Sequence, residues 1–325
     1  MRTTVKVGGF ALGLAAVFTA ALGLGHAVGP TRVTTAAHTA GNGGHDNSNG
    51  HTPGASAHLP AGLQVAQDGY RLTPLTATLA IGEPQPFRFQ ITGPDGTPVT
   101  RYTSSHDKDL HLIVVRRDLS GFQHVHPTLG PDGTWSIPLA VSAAGQYRAF
   151  ADFQPAARPD GLTLGVDVAA PGDYRPAALP APAATATVDG YTVTLDGALV
   201  PGNSSKLTLS VSKDGAPVTD LQPYLGAYGH LVALRDGDLA YLHVHPDGAP
   251  GDGRTPAGPQ ISFYAEVPSA GTYRLYLDFQ HAGKVRTAAF TATAGTSAPQ
   301  PPAPSPTAAS PQLSPGHGAD GHTHG

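Results

Sequence analysis

The sequence contains no cysteine, and its one methionine is Met1. The lack of cysteine excludes a disulfide framework, a lipidated N-terminal cysteine, thiolate zinc sites and a type 1 blue-copper centre, which needs a cysteine ligand. The lack of internal methionine also excludes a thioether Cu(I) site. Any metal held by this chain must therefore bind imidazole nitrogen or oxygen, which favours Cu(II), Zn(II) or Ni(II) over Cu(I).

Charged residues are scarce as well. They make up 13% of the 325 residues, and the formal net charge is −4. No basic stripe, RNP-like pattern or helix-turn-helix pattern is present, so nucleic-acid binding has no support. Glycine and proline are abundant, at 41 and 32 residues, which is typical of a turn-rich all-β protein with disordered ends.

The N-terminus has the layout of a secretory signal. Arg2 and Lys6 precede an apolar run from Val7 to Leu24, and Gly25-His26-Ala27 offers a small-x-small cleavage site. The alternative is a retained membrane anchor, because residues 7–29 are long enough to cross a bilayer. Both interpretations place the rest of the chain outside the cytoplasm, secreted or anchored to the cell membrane.

Composition divides the chain into segments. Residues 1–29 are the signal peptide or anchor, and residues 30–62 form a His- and Gly-rich linker that we predict to be disordered. Two repeats, 65–172 and 186–295, flank a Pro/Ala linker at 173–185, and a disordered Pro- and His-rich tail follows at 296–325. The flanking histidines form either a low-affinity metal-scavenging brush or a solubilising segment; they are His38, His45, His51, His58, His317, His322 and His324.

A histidine pattern, H-x12-H-x-H, occurs twice. The first copy contains His111, His124 and His126, and the second copy follows at an offset of 119 residues with His230, His243 and His245. A later block also recurs, since Gly145–Gln154 and Gly271–Gln280 share 6 of 10 residues. The chain is therefore a tandem repeat of one domain.

Each repeat reads as a β-sandwich. Short alternating or β-branched runs are separated by turns at a spacing of about 8–12 residues, and no window keeps a helical period over three turns. The Gly-x-Tyr segments at Tyr147 and Tyr273 are typical of the corner tyrosine of immunoglobulin-like folds. We predict an all-β chain with two tandem immunoglobulin-like β-sandwich domains. The late-strand aromatics are expected to be core residues: Tyr147, Phe150, Phe153, Tyr273, Tyr276 and Phe279.

Hairpin geometry predicts that the histidines of each repeat meet. If Asp236-Gly237 forms a two-residue type I′ turn, His230 pairs directly with His243, and His245 lies on the same face. Opposed Cβ atoms are about 4.5–5.5 Å apart, so three imidazoles of such a patch can reach one ion. The equal spacing predicts a second, equivalent patch made of His111, His124 and His126. The alternative is that these histidines only pack and form hydrogen bonds.

A fourth ligand would complete each site. In the second repeat the candidate is His281, and in the first repeat it is His106; neither has a histidine at the matching position of the other repeat. Asp152 and Asp278 occupy matched positions on the late strand. They are candidates for ligation, for a hydrogen bond to a ligand imidazole, or for a pair with the neighbouring Arg148 or Arg274.

The segment from Leu110 to Pro127 resembles a motif of secreted bacterial proteins described as heavy-metal-binding or YtkA-like. This resemblance covers both repeats and implies an immunoglobulin-like sandwich with an extracytoplasmic metal role. The architecture is also similar to that of periplasmic copper-resistance sandwiches of the CopC type. The chain departs from those in lacking a methionine cluster and an assured N-terminal histidine.

We expect an extracytoplasmic protein that buffers or delivers Cu(II) or Zn(II), with an envelope metal transporter or cell-surface component as its partner. Its contact with the membrane would be through the N-terminal segment alone. The H-x-H pairs lack the glutamate that follows three or four residues later in a cupin site, and the chain cannot build the α/β barrel of an amidohydrolase. No Ser/His/Asp order stands out, so we expect no enzyme. The alternative function is a structural or adhesive cell-envelope module without metal.

Overall fold

The computed structural model describes residues 59–242 and 244–295, and for His245 it describes the backbone alone. The predicted signal or anchor, most of the predicted 30–62 linker, His243 and the predicted tail lie outside these residues. Everything described belongs to one compact unit, Ala57–Gly325. No helix within the described ranges is long and apolar enough to cross a membrane.

The first repeat contains nine strands. They are β1 (Ala66–Gln67), β2 (Tyr70–Pro74), β3 (Gln85–Thr92), β4 (Leu110–Arg116), β5 (Gln123–Val125), β6 (Thr128–Leu129), β7 (Thr134–Leu139), β8 (Gly145–Phe153) and β9 (Leu162–Ala170). One antiparallel sheet has the order β1-β2-β3-β7-β6, and the other has the order β5-β4-β8-β9. The apolar core of the repeat lies between these two sheets.

The second repeat is built in the same way. Its strands are β10 (Thr185–Val188), β11 (Tyr191–Asp196), β12 (Ser204–Lys213), β13 (Ala216–Pro217), β14 (His230–Arg235), β15 (Tyr241–Leu242), β16 (Val244–Pro246), β17 (Gln260–Glu266), β18 (Gly271–His281) and β19 (Lys284–Ala294). One sheet has the order β10-β11-β12-β17-β16, with β13 paired to β12, and the other has the order β15-β14-β18-β19. A second core fills the space between them.

Both repeats have the strand order of an immunoglobulin-like sandwich. In the first, β2-β3-β7-β6 corresponds to an A-B-E-D sheet and β5-β4-β8-β9 to a C′-C-F-G sheet. The predicted corner tyrosines are present, because the hydroxyls of Tyr147 and Tyr273 donate to the carbonyl oxygens of Ala143 and Ser269 at 2.8 and 2.7 Å. The predicted fold class is confirmed.

The two repeats pack against each other through their β4- and β14-containing sheets. Strand β4 is buried on both faces: alternate residues such as Leu112 enter its own core, while Ile113 faces the second repeat. A strand covered on both faces needs a continuous apolar run, and β4 supplies one. We call the residues that meet here the interface cluster: Ile113, Val115, Leu119, Phe150, Val232, Leu234, Leu239 and Tyr276.

Aromatic contacts across this interface are related by the repeat. Phe122 of the first repeat stacks on Tyr276 of the second, with ring centroids 3.9 Å apart and planes at 6°. Their repeat partners, Tyr241 and Phe150, also meet, at 5.6 Å. Each repeat therefore offers the other the same pair of positions, as in the self-complementary interface of a twofold dimer.

The prediction that the late-strand aromatics are core residues is confirmed, but Phe150 and Tyr276 lie in the core between the repeats and not inside a sandwich. Both belong to the interface cluster, whereas Tyr147 and Phe153 are in the core of the first repeat. Successive side chains of a strand point to opposite faces. Phe150 is three residues from Tyr147, so the two cannot share a face.

The end of the segment predicted to be disordered is ordered. Ala61 accepts a hydrogen bond from the backbone N–H of Tyr241 in the second repeat, and Gly62 donates one to the carbonyl of Thr163 in the first, both at 2.9 Å. The Arg148 guanidinium donates to the Gly62 carbonyl at 3.0 Å through Nε. Gly62 has a φ of 73°, and a Cβ there would lie 2.6 Å from the Phe150 ring, so this position requires glycine.

The predicted two-residue turn at Asp236-Gly237 is wrong. Leu234 pairs with Tyr241 and Ala233 with Leu242, which moves the register by two residues. A shift of two keeps every side chain on its predicted face. After Leu242 the chain crosses to the other sheet of the same repeat. Its next strand, β16, begins at Val244 and pairs with β17, so that the backbone of His245 lies opposite Tyr264.

Replacing Phe150 with alanine tests the contact between the repeats. The ring is fully buried, so its removal should lower the free energy of unfolding by about 3–5 kcal/mol. Urea denaturation measures the change. Val285→Ala, at an exposed apolar position, is the control and should change stability by less than about 0.5 kcal/mol. A loss below about 1 kcal/mol for Phe150→Ala would contradict the described packing.

Candidate metal centre

His111 enters the interface through the outward face of β4. It lies two residues before Ile113 on this strand, so the two share a face. Its side chain is buried, with 8% of its surface exposed. Within each repeat, this face therefore carries both the apolar contact and, at one end of the strand, an imidazole.

His124 and His126 reach His111 from the neighbouring strand β5. His124 pairs with Ile113, so it lies diagonally across from His111 rather than directly opposite. The resulting distances are 3.0 Å from His111 Nδ1 to His124 Nε2, and 3.2 Å from His111 Nδ1 to His126 Nε2. These three histidines form a group whose ligand atoms lie within 4.8 Å of one another.

In His111 and His124, a hydrogen bond at one ring nitrogen determines which of the two nitrogens carries the proton. His111 Nε2 lies 3.0 Å from the carbonyl oxygen of Ser105, and His124 Nδ1 lies 2.8 Å from a carboxylate oxygen of Asp278. Both oxygens only accept, so each of these ring nitrogens carries the proton. The opposite nitrogens, which face each other, then carry lone pairs. Two lone pairs at 3.0 Å repel unless a proton or a metal ion lies between them.

The spacing of these nitrogens fits a metal ion. With metal–nitrogen distances of about 2.0–2.1 Å and angles between about 90° and 109°, ligand nitrogens lie about 2.8–3.4 Å apart. The contacts at 3.0 and 3.2 Å fall within that range. The ring centroids of His111, His124 and His126 are 4.9–5.3 Å apart, close to the value of about 5 Å that tetrahedral imidazole coordination requires.

The second repeat completes the surroundings of these residues. Asp278, the hydrogen-bond partner of His124, lies on β18, and its other oxygen accepts from Thr287 at 2.6 Å. His230 begins β14, with its ring 6.1 Å from that of His124 and 6.5 Å from that of His111. We call these residues, with the neighbouring His106, the histidine cluster: His106, His111, His124, His126 and His230.

His106 lies at the exposed side of the cluster. Its ring is 6.0 Å from His111 and 5.4 Å from His230. An adjoining cleft of about 290 Å³ is lined by His106, His111, His124 and His230, and also by Lys108, Asp109 and Asp152. The cleft gives solvent and small solutes a route to the buried imidazoles.

The structure brings a histidine of the second repeat to the predicted patch of the first. His230, predicted to join His243 and His245, lies beside His111 and His124. His243 and the side chain of His245 lie outside the described residues. Asp152 takes no part in the hydrogen bond that its partner Asp278 makes to His124; it accepts from Thr163 at 3.2 Å and from Tyr241 at 3.5 Å.

His281 does not join the histidine cluster. Its imidazole contacts the Tyr191 hydroxyl at 2.7 Å and the Asp220 carboxylate at 3.0 Å. His281 and Asp278 are three residues apart on β18, so they point to opposite faces of the sheet. The sequence spacing alone was enough to exclude His281 from a site that includes Asp278.

The sequence predicted that Asp278 could form a hydrogen bond with a ligand imidazole, and the structure shows that bond, to His124. Sequence reasoning missed the Ser105 carbonyl and did not foresee which histidine Asp278 orients. The Ser105 carbonyl is a backbone atom, so no side-chain pattern marks it. The pairing of His124 with Asp278 joins residues of different repeats, and repeat matching within one domain cannot detect such a contact. The matched aspartates were the available signal, because a carboxylate beside a ligand histidine commonly fixes its tautomer.

Burial keeps three of these imidazoles neutral. Together with a smaller contribution from the neighbouring histidines, it lowers the pKa of His111 to about 4, of His126 to about 3 and of His230 to about 4. In the unfolded chain a histidine has a pKa of about 6.5. The unfolded state therefore binds more protons than the folded state below pH 6.5.

The metal-free protein should consequently lose stability as the pH falls from about 6.5 toward 4, because unfolding then takes up protons. The melting temperature, measured in the presence of a chelator across this range, tests the expectation. His126→Gln/His230→Gln should flatten the profile, since glutamine does not titrate. A profile with the same slope in this variant would contradict the assignment of the effect to the cluster.

Several solved structures are similar to this chain at low identity. The adhesin FdeC of Escherichia coli is 14% identical, with 71% of this chain and 65% of that chain covered and a TM-score of 0.23. The adhesin InvE of Yersinia pseudotuberculosis is also 14% identical, with coverage of 70% and 60% and a TM-score of 0.23. Invasin, described as a bacterial integrin-binding protein, is 13% identical, with coverage of 69% and 39% and a TM-score of 0.21.

This chain thus spans less than two thirds of each of these proteins, and similarity at such TM-scores carries no argument about function. No curated protein matches the sequence. A family model does match both repeats, over residues 64–175 and 186–296. Together these segments are well over half of the chain, and the chain belongs to the family described as a domain of unknown function, DUF8832.

Proposed function

We propose that this protein binds a divalent transition-metal ion, Cu(II) or Zn(II), through His111, His124 and His126. The observation that carries the proposal is that His111 Nδ1 lies 3.0 Å from His124 Nε2 and 3.2 Å from His126 Nε2, with lone pairs on the facing nitrogens of His111 and His124. Imidazole suits Cu(II) and Zn(II), and the chain contains no softer ligand.

The surroundings support this role. Ligand histidines usually donate their other N–H to a carbonyl or carboxylate. His111 does so to Ser105, and His124 to Asp278. Burial favours the neutral imidazole, which is the form that binds metal. Two rings are therefore held in the tautomer that binds metal, whereas packing alone would not require a particular tautomer.

We further propose that the metal is handled outside the cytoplasm. Support comes from the predicted signal or anchor over residues 1–29 and from the resemblance to secreted metal-binding sandwiches. The cleft beside His106 would let an ion enter and leave, as buffering or delivery requires. An envelope metal transporter or a cell-surface component is the kind of partner that such delivery would involve.

The second candidate is a structural or adhesive envelope module without metal. One observation favours it: His124 and Asp278 join the two repeats by a direct hydrogen bond at 2.8 Å. A proton shared between His111 and His124 would then relieve the lone-pair repulsion, and the cluster would serve as a polar link. Tandem sandwiches are compatible with either function, because a fold alone does not determine one.

Metal loading separates the two candidates. The full chain, with the histidines of both flanks replaced by serine, is loaded with Cu(II), Zn(II) and Ni(II), desalted and measured by plasma mass spectrometry. We expect one retained ion at the cluster and its loss in His124→Ala/His126→Ala. His281→Ala, outside the cluster, should keep the ion. Equal retention in both variants, or no ion in the parent, would favour the structural module.

A subtler substitution tests the tautomer argument. Asp278→Asn keeps the shape of the side chain but removes the negative charge that orients His124, so metal affinity should fall about 10–100-fold. Asp220→Asn is the matched control, because Asp220 holds His281 in the same way at 3.0 Å. Competition with a chromogenic chelator measures both. Equal affinities in the two variants would contradict a role for Asp278 in metal binding.

A further inference from the structure

We infer that His230 of the second repeat is a fourth ligand of the same ion, so that one metal centre joins the two repeats. This inference rests on the proposed function and goes beyond it, because it makes the site a shared property of both domains. The three-histidine group lies entirely within the first repeat, and the second repeat reaches it only indirectly, through the hydrogen bond between Asp278 and His124.

The first argument is the local equivalence of His230 and His111. His230 Nε2 lies 2.8 Å from the carbonyl oxygen of Tyr224, and His111 Nε2 lies 3.0 Å from that of Ser105. Tyr224 and Ser105 are themselves separated by 119 residues, the offset of the repeat. Each carbonyl can only accept, so both rings carry the proton on Nε2 and a lone pair on Nδ1.

The loop that holds this carbonyl is built alike in both repeats. Ser105 pairs with Lys108 by backbone hydrogen bonds at 2.8 and 3.1 Å, and Tyr224 pairs with Ala227 at 2.8 and 3.2 Å. The residue after each has a positive φ, 49° at His106 and 53° at Leu225. The second repeat therefore has the same loop conformation as the first, and the carbonyl of this loop orients His230.

The second argument is position. The His230 ring lies 6.1 Å from His124 and 6.5 Å from His111, about 1 Å beyond the spacing among the three first-repeat histidines. A displacement of the His230 ring by about 1 Å toward His111 and His124 would match the spacing among the other three rings. His230 is also mostly buried and lines the cleft beside His111 and His124, so an ion that enters this cleft meets all three rings.

His106 is the competing fourth ligand, and the structure disfavours it. His106 is exposed, and its Nδ1 contacts the Ser105 hydroxyl at 3.2 Å. Among the residues that the structure describes, no carbonyl or carboxylate forms a hydrogen bond that fixes the tautomer of His106, in contrast to His111, His124 and His230. An exposed ring also loses more side-chain freedom on binding than one already held in place.

A shared ion has a physical consequence for the protein. The interface cluster supplies a non-directional apolar contact, whereas an ion with ligands from both sides fixes the two sheets at one point. Metal binding and the association of the repeats are then linked, because an ion that binds the associated form alone stabilises it.

The test uses the full chain with serine in place of the flanking histidines. Cu(II) affinity is measured by chelator competition for the parent, His230→Gln and His106→Gln. We expect at least about a tenfold loss in His230→Gln and less than about a twofold change in His106→Gln. A large loss in His106→Gln with His230→Gln unchanged would overturn the inference while leaving the proposed function intact. No Cu(II) binding by the parent would overturn both.

A second readout needs no substitution in the cluster. In the parent chain with 15N-labelled histidines, Zn(II) should shift two Nδ1 resonances, from His111 and His230, and two Nε2 resonances, from His124 and His126. Long-range proton–nitrogen couplings distinguish the two kinds of nitrogen. A single shifted Nδ1 would remove His230 from the ligand set even if His230→Gln proved unable to fold.

Discussion

The rest of this structure depends on the face-to-face packing of two sheets that belong to different repeats. Strand β4 is buried on both sides, with one face in its own core and the other against the second repeat. The interface cluster removes apolar surface from water at about 25 cal/mol per Å². The same contact brings His111 and His230 together, because both lie at one end of this apolar face.

Polar groups survive in this interface because they are paired. His111 and His230 each donate to a loop carbonyl, and His124 donates to a carboxylate. An unpaired imidazole in the same place would cost part of the stability that the apolar contact provides. What remains unpaired is the lone pairs of His111 Nδ1 and His124 Nε2, which face each other at 3.0 Å, and this arrangement distinguishes candidate ligands from ordinary buried histidines.

Much of this was accessible from the sequence. The 119-residue offset, the turn chemistry and the Gly-x-Tyr segments were sufficient for two immunoglobulin-like sandwiches, and the parity of strand positions placed His111, His124 and His126 on one face. The predicted pairing of the two strands was wrong by two residues. Because side chains alternate between faces, a shift of two leaves these histidines on the same face. The continuous apolar run of β4 was an unused signal, since a strand exposed on one face would alternate.

The sequence by itself determined the repeat, the sandwich fold, the restriction to imidazole and oxygen ligands, and which face of each strand carries histidine, since these follow from composition and a period of two. The tertiary structure alone decided that His230 meets the histidines of the first repeat, that Asp278 orients His124, and that Ala61 and Gly62 lie between the domains. Those contacts join residues far apart in sequence, and they exist because two apolar sheet faces exclude water when they meet.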